Sequence, residues 1–221
     1  RYEPSYLGNP VRLLYVGALL EKKGVHVLIE AVARLRPAHN LMLTVVGGGP
    51  AEEQLRELVA QLGLREHVVF AGALGTDEQL RAQYRAADVF VLPSLAEGVP
   101  RVLIEAMAQS LPVVSTAVGG IPAVVRDGWN GVLVEPGSVE ALCAGITAVL
   151  RDTPLRLRLV SGGLVTARQH TREAHARELA RLLDEFTADP LLRAFLCAQT
   201  GDHGMPPSRA PAVLHAGVAS Y

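Results

Sequence analysis

The strongest constraint on this chain is an alternation of two periodicities. Short apolar, β-branched runs at 12–17, 41–47, 68–72, 89–93, 113–117 and 131–135 each give way to a helical pattern. Those patterns fall at 25–36, 52–62, 77–87, 102–110, 121–127 and 139–150. Runs of apolar residues without strict alternation suit strands covered on both faces, and the intervening stretches are long enough for crossover helices. Six βα units in succession predict an α/β fold with a parallel six-stranded sheet and helices on both faces.

Two further helical stretches are expected, at 155–170 and 172–186, the second amphipathic through Ala176, Leu179, Ala180, Leu182 and Leu183. Beyond Phe186 the pattern breaks at Asp189-Pro190, and Met205-Pro-Pro-Ser-Arg-Ala-Pro211 supports no regular element. The expected organisation is one domain over 1–186 and a partly disordered appendage over 187–221, in which a short helix at 191–197 is an option. A chain of 221 residues has room for one sizeable core.

A formal net charge of −1 disfavours a nucleic-acid surface. No apolar run reaches the roughly 18 residues a membrane span needs, and the N-terminus lacks a signal-peptide core, so a cytoplasmic chain without a transmembrane segment is expected. Peripheral membrane contact is compatible with that charge. Cys143 and Cys197 have no metal or redox spacing, and the histidines form no ligand cluster.

Chemistry is expected in the loops at the carboxyl ends of the strands, where open α/β sheets bind ligands. All the chain's lysines, Lys22 and Lys23, lie in the loop from Gly17 and Ala18 to Gly24. Lys23 stands beside a helix N-terminus, where backbone N–H groups, helix dipole and ammonium together suit a phosphate. Gly47-Gly-Gly-Pro50 is followed by Glu52 and Glu53, which would repel an anion, so a tight turn is the expected role. Gly-x-Gly-x-x-Gly does not follow the first strand, which disfavours a dinucleotide. Gly119-Gly120 suits either a close ligand approach or a plain turn, and Leu74 to Thr76 could present backbone to a flat base.

Glu97 and Glu105 flank a Gly98-Val99-Pro100-Arg101 segment, with Pro100 expected as the first helical residue. Helical side chains lean toward the N-terminus, so Glu105 should point back to the crevice that Glu97 borders. A structural partner for Glu105 would be an Arg or a backbone N–H. The functional alternative is a pair of carboxylates accepting hydrogen bonds from a polyhydroxylated ligand.

Seven motifs in order, namely Gly17…Lys23-Gly24, Val46-Gly-Gly-Gly-Pro50, Phe70-Ala-Gly72, Ala87-Asp88 to Ser94, Glu97-Gly98 with seven residues to Glu105-Ala-Met, Leu111-Pro-Val-Val and Val118-Gly-Gly-Ile-Pro122, resemble one family. It is the C-terminal, Rossmann-like donor domain of retaining GT-B glycosyltransferases of family four. The resemblance implies transfer of a sugar from a UDP- or GDP-type nucleotide-diphosphate sugar, with no metal or other cofactor.

It also implies roles. Glu97 would face the donor sugar and Lys23 the diphosphate, which makes these two the catalytic candidates, and Glu105 would hold the ribose hydroxyls. Gly98, Val99, Pro100, Arg101, Gly17 and Ala18 would border the donor, with Leu74 and Thr76 near the base. Glu97 and Glu105 are then binding groups rather than an acid/base pair, because the leaving diphosphate takes the acceptor's proton. The acceptor would be bound by an N-terminal domain absent from this sequence, which makes the chain inactive alone.

Ala18 stands where the family commonly has Arg, Pro100 and Ser110 where Gly is frequent, and Ala123 where Glu is common. The loss of a cation at Ala18 motivates an alternative, a non-catalytic binding or assembly module. An epimerase or phosphorylase on the same fold is the third reading.

Overall fold

The computed structural model describes residues 7–171 together with 180 and 181. Six parallel strands form one sheet: β1 (Val11–Val16), β2 (Leu41–Val46), β3 (Val68–Gly72), β4 (Val89–Leu92), β5 (Val113–Thr116) and β6 (Val132–Val134), in spatial order β3-β2-β1-β4-β5-β6. Register runs Val11↔Leu41 to Val16↔Val46 between β1 and β2, and Leu13↔Val89 between β1 and β4. Every residue of β4 and β5 is buried, as continuous apolar runs require.

Helices α1 (Val25–Leu35), α2 (Glu52–Gln61), α3 (Asp77–Ala86), α4 (Arg101–Ala108), α5 (Ile121–Val124), α6 (Val139–Arg151) and α7 (Thr153–Gln169) complete it. β1 connects outward to β2, whereas β4 connects to β5 in the opposite direction. Right-handed crossovers therefore place α1 and α4 on opposite faces. Helix α1 packs on α2 and α6, and α4 packs on α7, where Met107 lies against Gly163.

The expected doubly covered parallel sheet is present, with local corrections. Pro100 is the N-cap of α4, not its first residue: its ψ is 115°, extended, and its carbonyl accepts the Leu103 N–H. Helix α5 stops at Val124, short of 127, because Val125 turns extended and Asn130 takes over the polar groups, accepting from Arg126 N and donating to Val124 O. Helix α7 starts earlier than expected, at Thr153, because Asp152 caps it by accepting from Leu155 N, with Pro154 in the first turn.

By internal contacts the chain divides into two units, Arg1–Thr171 and Arg172–Tyr221. The expected helix at 172–186, apart from the helical residues 180 and 181, and the appendage at 187–221 lie outside the described residues. Among the described residues, no helix is long and apolar enough to cross a membrane.

Candidate functional site

The strand order reverses between β1 and β4, so the helices that follow them lie on opposite faces and leave a crevice at the strands' carboxyl ends. A single 3₁₀ turn, Glu21–Lys23, ends at Gly24 with φ 66°, where a Cβ would lie 2.1 Å from the Pro93 carbonyl oxygen. Only glycine lets this loop close onto the end of β4. The Leu95 N–H then donates to the Lys22 carbonyl at 2.8 Å, fastening the two loops together.

That closure brings Lys23 and Glu97 together. Lys23 Nζ donates to Glu97 Oε1 at 2.6 Å, and Ser94 Oγ donates to the same oxygen at 2.7 Å. The side chains are only 20% and 8% exposed, so the pair is poorly screened by water. Ser94 is itself held, its carbonyl accepting from Thr116 Oγ1. Among the described residues the Lys23 ammonium makes this one hydrogen bond, and it carries three N–H groups. Two are left for an anion.

Gly119, with φ 54°, supports the other side of Glu97. A Cβ there would lie 1.8 Å from the Glu97 carbonyl oxygen, and the Gly120 N–H donates to the Gly98 carbonyl at 3.0 Å. The close approach these glycines allow is thus to the Glu97-Gly98 backbone. Gly47 similarly packs under the first loop, its Cβ position 1.9 Å from Gly17 O, which agrees with a tight turn.

Of the remaining expected residues, Gly17, Ala18, Leu74, Thr76, Arg101 and Glu105 fall around two adjoining clefts that share Asp77 and Leu80, and Gly98, Val99 and Pro100 line neither. One, of about 300 Å³, is lined by Gly17, Ala18, Leu74 and Thr76. The other, of about 220 Å³, is lined by Arg81, Tyr84, Arg101 and Glu105. Gly98 and Val99 are exposed, and Pro100 is buried beneath them. The Thr76 hydroxyl caps α3, accepting from Gln79 N. Glu97 lines neither cleft, and the two carboxylates have different partners.

Among the described residues, Glu105 is partnered by neither an Arg nor a backbone N–H. Tyr84, only 2% exposed, donates its hydroxyl to Glu105 Oε2 at 3.1 Å. Burial, then the Glu105 charge and this hydrogen bond, push the phenol's pKa far above its usual value, so Tyr84 stays a donor. Tyr15 is likewise pushed up, by burial and then by the Glu97 charge, and its hydroxyl donates to Ala18 O. The sequence reading missed Tyr84, Ser94 and Thr116. A tyrosine on the inner stripe of α3, four residues after Leu80, was the available signal, since a buried phenol needs a partner.

A family model described as glycosyl transferases group 1 matches residues 6–164, well over half of the chain. The chain belongs to that family. Among its relatives, the lipopolysaccharide core biosynthesis glycosyltransferase LpsE of Rhizobium meliloti is 37% identical over 172 residues, 77% of this chain and 49% of LpsE. The structure of Anabaena Alr3699/HepE in complex with UDP matches with a TM-score of 0.71 and 29% identity, over 80% of this chain and 49% of that one. The C-terminal domain of the group 1 family protein LpcC from Francisella tularensis matches at 0.66 and 26%, covering 72% of this chain and 85% of that domain. The chain spans about half or less of the length of the curated relatives it matches. Its Rossmann-like sheet is one half of the GT-B fold seen in these glycosyltransferases.

Proposed function

We propose that this group 1 chain is the donor-binding half of a retaining glycosyltransferase using a UDP- or GDP-type sugar, with the acceptor held by a second, N-terminal domain. The observation that carries this reading is the Lys23–Glu97 pair at the point where the strand order reverses. A half-buried ammonium with unused donors, beside a carboxylate, suits a diphosphate joined to a sugar. The UDP complex of the related HepE supports a nucleotide diphosphate as ligand.

In this reading Glu105 takes the ribose hydroxyls, and the cleft formed by Leu74, Thr76, Gly17 and Ala18 takes base and diphosphate. The bond from the anomeric carbon to the diphosphate oxygen breaks, with the electron pair leaving on the diphosphate. Lys23 stabilises that developing charge. The acceptor oxygen bonds to the anomeric carbon on the same face and gives its proton to the departing diphosphate. Glu97, already holding Lys23 and Ser94, orients and contacts the sugar rather than moving a proton. A cytoplasmic location goes with this proposal.

Transfer assays test it. The chain joined to its acceptor-binding domain should transfer sugar with retained anomeric configuration, while the chain alone should give negligible product. Inverted product, or no transfer by the two-domain form, sinks the proposal. Ala18, which stands where the family commonly has an Arg for the diphosphate, favours a second reading as a non-catalytic binding module. Nucleotide-sugar binding without transfer in the two-domain form would establish that one.

A further inference from the structure

What fixes Glu105 is a neutral donor, although two cations line the same cleft. Arg81 and Arg101 both border it, and among the described residues neither makes an ion pair or hydrogen bond with Glu105. An arginine fork would occupy both carboxylate oxygens. Tyr84 occupies Oε2 alone, and among the described residues Oε1 has no hydrogen-bond partner. Among the described residues no fully buried side-chain oxygen lacks a partner, so Oε1 keeps some exposure, and Glu105 lines the cleft.

The donor is rigidly placed. The Tyr84 ring packs on Phe90 of β4 with centroids 5.8 Å apart and planes at 44°, so its hydroxyl is referenced to the central sheet. Helix α3 also carries Asp77 and Leu80, the residues common to both clefts.

We propose that Tyr84 is a positioning residue for nucleotide recognition, its hydroxyl holding Glu105 Oε2 so that Oε1 meets the ribose hydroxyls of the donor. This rests on the donor-binding reading above. It separates two functions of one carboxylate, one oxygen for structure and one for ligand.

Calorimetric titration of the purified chain with UDP, GDP and their 2′,3′-dideoxy forms tests it, in the unaltered protein and in Tyr84→Phe and Glu105→Ala. The Phe variant keeps the ring on Phe90 and removes only the hydroxyl. It should weaken the better-bound nucleotide about 3- to 10-fold while leaving the dideoxy form unchanged. Equal weakening of both forms would mean a general loss of structure and would overturn the inference. So would unchanged affinity for the normal nucleotide. If Glu105→Ala weakens binding and Tyr84→Phe does not, the inference fails and the donor-binding reading stands. If Glu105→Ala has no effect, or the unaltered chain binds neither nucleotide, both fall.

Discussion

Lys23 Nζ lies 2.6 Å from Glu97 Oε1 although 74 residues separate them in the chain. The contact follows from topology. Only where a chain leaves adjacent strands β1 and β4 in opposite directions do the two following loops meet over open space rather than over a helix. The pair also explains local sequence: Gly24 and Gly119 are the residues whose missing side chains let the loops reach it.

Removing the cation should separate binding from stability. We predict that Lys23→Met weakens UDP or GDP about 10- to 100-fold and the corresponding nucleoside hardly at all, because the lost bond is to the diphosphate. Glu97 keeps only Ser94, so unfolding free energy should fall by about 1–3 kcal/mol in denaturant titration. A parallel loss for nucleoside and nucleotide would place Lys23 away from the phosphates.

Two glycines near Glu97 should respond oppositely. Gly119→Ala forces a Cβ to within 1.8 Å of the Glu97 carbonyl at a positive φ, and should cost about 3 kcal/mol or more, read as a fall in melting temperature. At Gly98 an added Cβ meets nothing within 4 Å. Gly98→Ala should leave melting unchanged and weaken nucleotide-sugar binding; unaltered binding would show that the donor does not pass over this backbone.

Ser110 sits at φ 64° just past the end of α4, a conformation awkward for any residue with a Cβ. Ser110→Gly should stabilise the chain by about 0.5–1 kcal/mol, since relief of strain exceeds glycine's larger unfolded entropy. Chemical denaturation reads this directly, and a loss of stability would contradict it.

Alkali should unfold the protein through its buried phenols. Tyr15 and Tyr84 have pKa values raised well above the roughly 10 of an unfolded tyrosine, by burial first and by Glu97 and Glu105 second. Above that pH the unfolded chain releases protons the folded chain keeps, so stability is full below pH about 10 and falls as pH rises further. Tyr84→Phe should reduce the slope by about 1.4 kcal/mol per pH unit. Tyrosinate absorbance during a pH titration, compared with unfolding, checks this; two early-ionising phenols would refute it.

The sheet was legible in the sequence because six apolar runs separated by helical periods leave few alternatives. Pro100 signalled where α4 begins, to within one residue, and Lys22 and Lys23 pointed to the right loop. What pattern could not supply was pairing across the reversal of strand order. The loop pattern points Lys23 at a phosphate but says nothing of Glu97, on which its ammonium rests. The structural alternative for Glu105, an Arg or a backbone N–H, is filled instead by a tyrosine 21 residues earlier, whose inward direction depends on how α3 lies on β1 and how its ring meets Phe90 of β4. Gly119 suits either a ligand's approach or a plain turn by sequence, and its close neighbour is the backbone of Glu97.

Calorimetric titration of the folded chain with UDP- and GDP-sugars measures the central claim most directly. A donor-binding half should give saturable, one-to-one binding to at least one of them, weakened about 10- to 100-fold in Lys23→Met and weakened also in Glu105→Ala. A well-folded sample that binds no nucleotide sugar at any attainable concentration would contradict the account.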